Sequence, residues 1–211
     1  MDFTDENLTG NRLYTRRRVF EIFKHIRDKE YKLAFSDGLT FESMVKNNFE
    51  LLQKISEAGQ WAEIAIPIET TNDRLLKLVK KPHNREAVIR TLYFIRNHYP
   101  NVFREAFFIG GIVSENFEEA QTPEELETDL KFMRFCFEEN LVDQIDFFRF
   151  SPISYKLYRR WREKFPEKPF ELLQFSQEAG IWPYPSEILN EIESRINELH
   201  VNYGKQRLRS Y

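Results

Sequence analysis

The run Ala106-Phe-Phe-Ile-Gly-Gly-Ile-Val113 holds eight residues without a charged or amide side chain, and it constrains the fold more than any other stretch. A continuous apolar run of strand length predicts a strand buried on both faces, which is the situation of parallel sheets. Parallel neighbours cannot be joined by a hairpin, because each connection must cross over the sheet and takes a dozen or more residues. The sequence supplies such crossovers. Strand-like runs fall at the start of the chain, at Lys32–Leu39 with a break at Gly38, at Trp61–Glu69, at Ala106–Val113 and at Ile145–Ile153.

Helical patterns separate them. Val19, Phe23 and Ile26 recur at helical spacing within Tyr14–Asp28; Phe41, Val45, Phe49, Leu52 and Ile55 repeat the pattern, with Gly59 as the expected C-cap. Leu75, Leu76 and Val79 predict a short helix that Pro82 interrupts, and Val88, Leu92 and Ile95 a longer one stopped before Pro100. Thr122-Pro-Glu-Glu125 predicts a helix start with Thr122 as N-cap and Glu125 closing a capping box, ahead of an inner stripe of Leu126, Leu130, Met133 and Phe137. About five strands alternating with helices predict an α/β fold, a partial, open parallel β/α barrel of the TIM-barrel kind over residues 1–153. Beyond it, residues 154–211 read as a helical C-terminal extension.

Composition excludes several classes. No apolar run approaches the roughly 20 residues of a membrane span, and the first residues lack a signal-peptide pattern, so the expected location is cytoplasmic, with no membrane partner. The net charge of −3 offers no basic field for nucleic acid; Arg16–Arg18 and Arg159–Arg160 read as solvated helix faces. The single cysteine, Cys136, reads as a small core hydrophobe among Phe132, Met133, Phe135 and Phe137. His25, His83, His98 and His200 are far apart and form no ligand pair, so they read as surface or helix-end residues and metal ligands are expected to be absent.

Candidate site residues stand where strands end. In parallel α/β folds that edge gathers side chains and free helix-start amides. Glu69, Thr70 and Thr71 follow the third strand; Gly110 and Gly111 end the fourth and let backbone approach a flat ring; Asp5, Glu6, Ser36 and Asp37 close the earlier strands. Read without further context, Thr70 or Thr71 could instead cap the helix opening near Asn72, Glu69 could be a solvated loop acid, and the glycine pair could merely end a buried strand.

Taken in order, Asp5-Glu6-Asn7, Asp37-Gly38-Leu39, Glu69-Thr70 followed by Leu75-Leu76 and Lys80, Ile109-Gly110-Gly111, and Phe150-Ser-Pro152 resemble the ends of the second to sixth strands of the radical S-adenosylmethionine (radical SAM) barrel, in the branch that often carries a cobalamin-binding domain. The likeness covers residues 2–155. It implies a nucleoside cofactor, S-adenosylmethionine, with Glu69 and Thr70 hydrogen-bonding its ribose or amino group, Gly110 and Gly111 beside adenine, and Asp5, Glu6, Ser36 and Asp37 lining the same mouth. It further implies a 4Fe-4S cluster, and a possible cobalamin, in the complete protein only.

The defining CxxxCxxC loop is missing: one cysteine cannot supply three thiolates. The fourth strand turn also lacks the Pro-Gly-Glu-Thr wording of many relatives. The chain is therefore expected to be the C-terminal portion of a radical SAM enzyme acting on an unknown substrate, inactive alone. Its implied partner is a separate cluster-bearing chain, or another copy at the open barrel edge. Two alternatives stay open, a non-catalytic interaction module and an unrelated partial barrel enzyme using Glu69 as acid or base.

Overall fold

The computed structural model describes residues 13–29, 32–35, 39–114, 118–150, 155–164, 166 and 186–204. Strands β1 (Lys32–Phe35), β2 (Gln60–Glu69), β3 (Phe103–Gly110) and β4 (Gln144–Arg149) form one sheet in the order β1-β2-β3-β4. Every neighbouring pair is parallel. Helices α1 (Leu13–Ile26) and α2 (Phe41–Ala58) flank β1; α3 (Asp73–Leu78) and α4 (Arg85–His98) join β2 to β3, and α5 (Pro123–Glu138) joins β3 to β4. The architecture is the α/β, open partial barrel that the alternation predicts, followed by helices α6 (Tyr155–Lys164) and α7 (Ser186–Leu199). The expected strand at the start of the chain lies outside the described residues.

One sheet face makes the core. Leu33, Phe35, Ile64, Ile66, Ile68, Ala106, Phe108 and Ile145 join a single cluster with Val19 and Phe23 of α1, Leu52 and Ile55 of α2, Val88 and Leu92 of α4, and Leu130, Met133 and Cys136 of α5. Burying a side chain of this size stabilises by about 1.5–3 kcal/mol, so this face sets the register of every strand. The other face alternates with it. There Phe107 and Ile109 are half-buried, not buried as the apolar run predicts, since neither joins the core cluster. Lower down, Glu63, Glu105, Gln144 and Asp146 line it; the Gln144 side-chain amide donates to Glu105 at 2.7 Å and to Asp146 at 3.0 Å.

Helix ends follow local chemistry. Thr122 and Glu125 form the expected capping box. The helices α3 and α5 end alike: Lys80 (φ 58) and Asn140 (φ 55) take the left-handed position, and the next amides, of Lys81 and Leu141, each donate at 2.8 Å to Leu76 O and Cys136 O. Gly59 stands at the end of α2 but with extended backbone (φ 175), so its glycine is not used for a left-handed cap. At the strand starts, Arg104 is 1% exposed and bound to Asp143, its Nε at 3.0 Å, and to Asn140 O at 3.1 Å. Helix α7 packs Leu189, Ile192 and Ile196 into the core and pairs Arg195 with Glu127 of α5 and Glu193 with Arg149 of β4.

Candidate functional site

Strand β2 does not simply stop at Glu69; it turns back on itself. The Thr70 amide donates to Ile68 O at 2.9 Å across Glu69, whose φ is 66. This is a γ-turn of positive φ, a rare and strained conformation, and the pairing register with β3 shifts at the same place. Left-handed backbone costs a residue with a side chain about 1–2 kcal/mol, and strain of this kind concentrates at functional sites. The turn holds the Glu69 carboxylate at the strand mouth, 8% exposed, with Oε1 2.5 Å from Lys81 Nζ.

The turn is fastened from below by an acid that the apolar stripe of α5 conceals. Asp129 is 2% exposed and accepts from the Thr70 hydroxyl at 2.7 Å, the Thr71 amide at 2.7 Å, the Thr71 hydroxyl at 2.6 Å and Gln121 Nε2 at 3.1 Å. Burial pushes its carboxyl above the ordinary range, and the donors from Thr71 and Thr70 pull part of the way back. Thr70 is fully buried; its hydroxyl oxygen also accepts from the Asn72 amide at 3.1 Å. The N-cap of α3 is neither threonine but Asn72, whose side chain accepts from the amides of Arg74 and Leu75.

Gln121 extends this network to β3. Its Oε1 accepts from the Gly111 amide at 2.5 Å and more weakly from that of Ile112 at 3.4 Å. Glu69, Thr70, Gly110 and Gly111 therefore stand on one rim, at the ends of adjacent parallel strands. Each glycine has its own reason. Gly111 has φ 88, and a Cβ on Gly110 would lie 2.0 Å from the Phe147 ring, so the flat ring that meets Gly110 in this structure is a side chain of β4. Above the network, Arg74 holds Glu125 in a two-pronged ion pair at 3.0 and 2.6 Å and reaches Ala120 O at 3.0 Å. Although burial raises Glu125, Arg74 and the Thr122 amide outweigh it and hold the carboxyl low.

His83 differs from its sequence reading. It is 9% exposed, its Nε2 lies 3.3 Å from Ile68 O, its ring packs tilted against Phe41 with centroids 4.3 Å apart, and its Nδ1 has no hydrogen-bond partner. Because the carbonyl of Ile68 requires a donor, the imidazole carries its proton on Nε2, and burial holds it below its usual pKa. The segment Lys81–His83 thus buttresses the γ-turn twice. His25 and His98 are exposed in last helical turns, as read, and His200 follows α7 with Nε2 accepting from the Ile145 amide at 3.1 Å.

Cys136 is fully buried and burial pushes its thiol up, as expected of a core side chain. Among the described residues no group of three acid, cysteine or histidine side chains could hold a metal. With a single cysteine in the sequence, the residues do not fit a 4Fe-4S cluster. Asp5, Glu6, Ser36 and Asp37 lie outside the described residues. Asp129, Gln121, Lys81 and His83 were not legible as site residues; the one available signal was Asp129 itself, an acid three residues after Leu126 and four before Met133 in an otherwise apolar stripe.

Comparison with known proteins falls on the same side as the strand ends. Ribosomal protein uS12 methylthiotransferase RimO of Nitrosomonas eutropha is 31% identical over 105 residues, covering 50% of this chain and 21% of that protein. The protein of the same name from Nitrosomonas europaea is 26% identical over 159 residues, 75% of this chain and 29% of the relative. That of Colwellia psychrerythraea is 24% identical over 152 residues, 60% and 31% respectively. The chain thus spans between 21% and 31% of the length of these relatives. No protein-family model matches it. These relatives are radical SAM methylthiotransferases, a family whose cofactors are S-adenosylmethionine and a 4Fe-4S cluster, and the similarity to this chain is weak and covers only part of their length. Among the described residues, no helix is long and apolar enough to cross a membrane.

Proposed function

We propose that the chain is the nucleoside-holding portion of a radical SAM barrel, in which the rim of β2 and β3 binds S-adenosylmethionine. The observation that carries this reading is Glu69, a buried carboxylate held in a strained turn. A carboxylate accepts but does not donate, so its ligand presents O–H or N–H donors; a ribose diol or an adenine amino group offers two. Gly111 supplies the neighbouring edge without a side chain. Asp5, Glu6, Ser36 and Asp37 join the same mouth on sequence grounds alone. S-adenosylmethionine supplies radical chemistry once an electron reaches its sulfonium; this chain orients the nucleoside and has no residues to hold the electron source. The cluster would come from residues or a chain other than those present, and the chain alone is inactive. The relatives are named as methylthiotransferases, which lends no support to cobalamin, so the proposal contains no cobalamin step.

Calorimetry with S-adenosylhomocysteine, a stable nucleoside probe, tests the reading on the full chain. Binding in the wild type that disappears in Glu69→Ala and persists in Lys77→Ala supports it. No heat with the wild type, or binding indifferent to Glu69, overturns it.

A further inference from the structure

We propose that Asp129 and Gln121 are a positioning pair, which couples the Glu69–Thr71 turn to the Gly111 amide so that the two halves of the rim are set by one polar relay. The inference deepens the nucleoside reading, on which its ligand rests. Its geometry stands independently, because both residues are buried, at 2% and 0% exposure, and neither is on the rim.

The relay has a fixed polarity. The Gly111 N–H can only donate, so the Gln121 oxygen must face it at 2.5 Å, and the Gln121 amide group is thereby turned onto Asp129 at 3.1 Å. Thr71 N–H approaches the same carboxylate from the other side at 2.7 Å, again a group that can only donate. Two obligatory donors at the far ends thus require an acceptor at 129 and an amide between. The Gln121 backbone adds a second tie, its N–H donating to Ile112 O at 2.7 Å. Both backbone segments so held contain a residue of positive φ, Glu69 at 66 and Gly111 at 88. Positive φ is open to Gly111 but unfavourable for Glu69, and the strand pairing shifts register between Pro67 and Glu69 before resuming at Phe108, so Asp129 and Gln121 provide the side-chain link that fixes the two turns relative to one another.

The polarity supplies its own test. Asp129→Asn places an amide against the Gln121 amide; if Gln121 turns over to meet it, a donor faces the Gly111 N–H instead. Gln121→Glu sets two carboxylates against each other. The double variant D129N/Q121E restores a complementary relay, with the asparagine amide donating to the glutamate and the glutamate accepting from Gly111. Affinity for S-adenosylhomocysteine is measured on the full chain at a temperature where circular dichroism shows every variant folded, alongside the Gly111 and Thr71 amide proton shifts. Each single variant is expected to weaken binding roughly tenfold and move both amides, and the double to recover to within about threefold with both amides returning, since coupled neighbours interact by an amount of this order. Additive losses in the double variant, or a Gly111 amide that ignores Asp129→Asn, overturn the pair. A wild-type chain that does not bind the probe sinks the nucleoside reading alone, and the amide shifts then decide the coupling.

Discussion

Glu69 offers a test in which stability and binding part company. At an ordinary strand position glycine is less stable than alanine by about 0.5–1 kcal/mol, because it gives up more conformational freedom on folding. At φ 66 the order should reverse. Alanine keeps the Cβ that opposes left-handed backbone, at about 1–2 kcal/mol, and glycine does not. Glu69→Ala and Glu69→Gly both lose the carboxylate and its pair with Lys81, which is 38% exposed. That pair is worth at most about 1 kcal/mol and cancels from the comparison. We therefore expect Glu69→Gly to be the more stable of the two by about 1 kcal/mol, a melting temperature about 2–4 °C higher for a chain of this length. It should lie within about 1 kcal/mol of the wild type, since relief of the turn offsets loss of the pair, while nucleoside binding is lost. Urea unfolding with equal slopes measures the difference. A glycine variant weaker than the alanine variant by the usual strand amount would mean that the γ-turn does not form, and the argument from strain would fail with it.

Three further outcomes are expected. His83 has its folded pKa depressed by burial, so its contribution is present above the unfolded value of 6.5 and lost as pH falls below it; His83→Phe, which keeps a ring against Phe41, should flatten that part of the acid side of a urea-midpoint profile, and an unchanged profile would place a charged or solvated imidazole there. Glu105 runs the opposite way: burial and the neighbouring Asp146 push its carboxyl to about 7 from 4.5, so stability should fall as pH rises across that window by on the order of 1–3 kcal/mol, a dependence that Glu105→Gln removes. Cys136, fully buried with its thiol pushed up, should stay unreactive to a thiol reagent in the native chain and titrate as one thiol in urea; fast native labelling would show that the α5 stripe opens.

Elements that obey periodicity were legible, and features that break it were not. Phe41, Leu52 and Ile55 mark α2, and Thr122 with Glu125 marks the start of α5, because each signal is local and the structure uses it locally. The apolar run at Ala106 located β3 but misjudged its exposure: sequence reports which residues avoid water, not whether a covering element exists, and Phe107 and Ile109 remain half-buried. Glu69 was singled out as a strand-end acid, yet its left-handed turn carries none of the glycine or asparagine that usually announces one. Gly110 was read as room for a ring, and a ring does meet it, but from β4, across a distance in sequence that no local pattern spans. Asp129 lies 59 residues from Thr70, which is why the relay became visible only when the strands were laid side by side.

The Arg104–Asp143 pair lies at the opposite pole of the sheet from the rim. It anchors β3 to the entrance of β4 with contacts of its own, among them the Asp143 amide on Arg104 O at 2.7 Å, and shares no residue with the rim. Foot and mouth are thereby independent. Arg104→Leu, which strands a buried acid, should cost about 3–5 kcal/mol in urea unfolding while the Gly111 and Thr71 amide shifts keep their places. Such a division would let the mouth drift toward new ligands without loosening its mount.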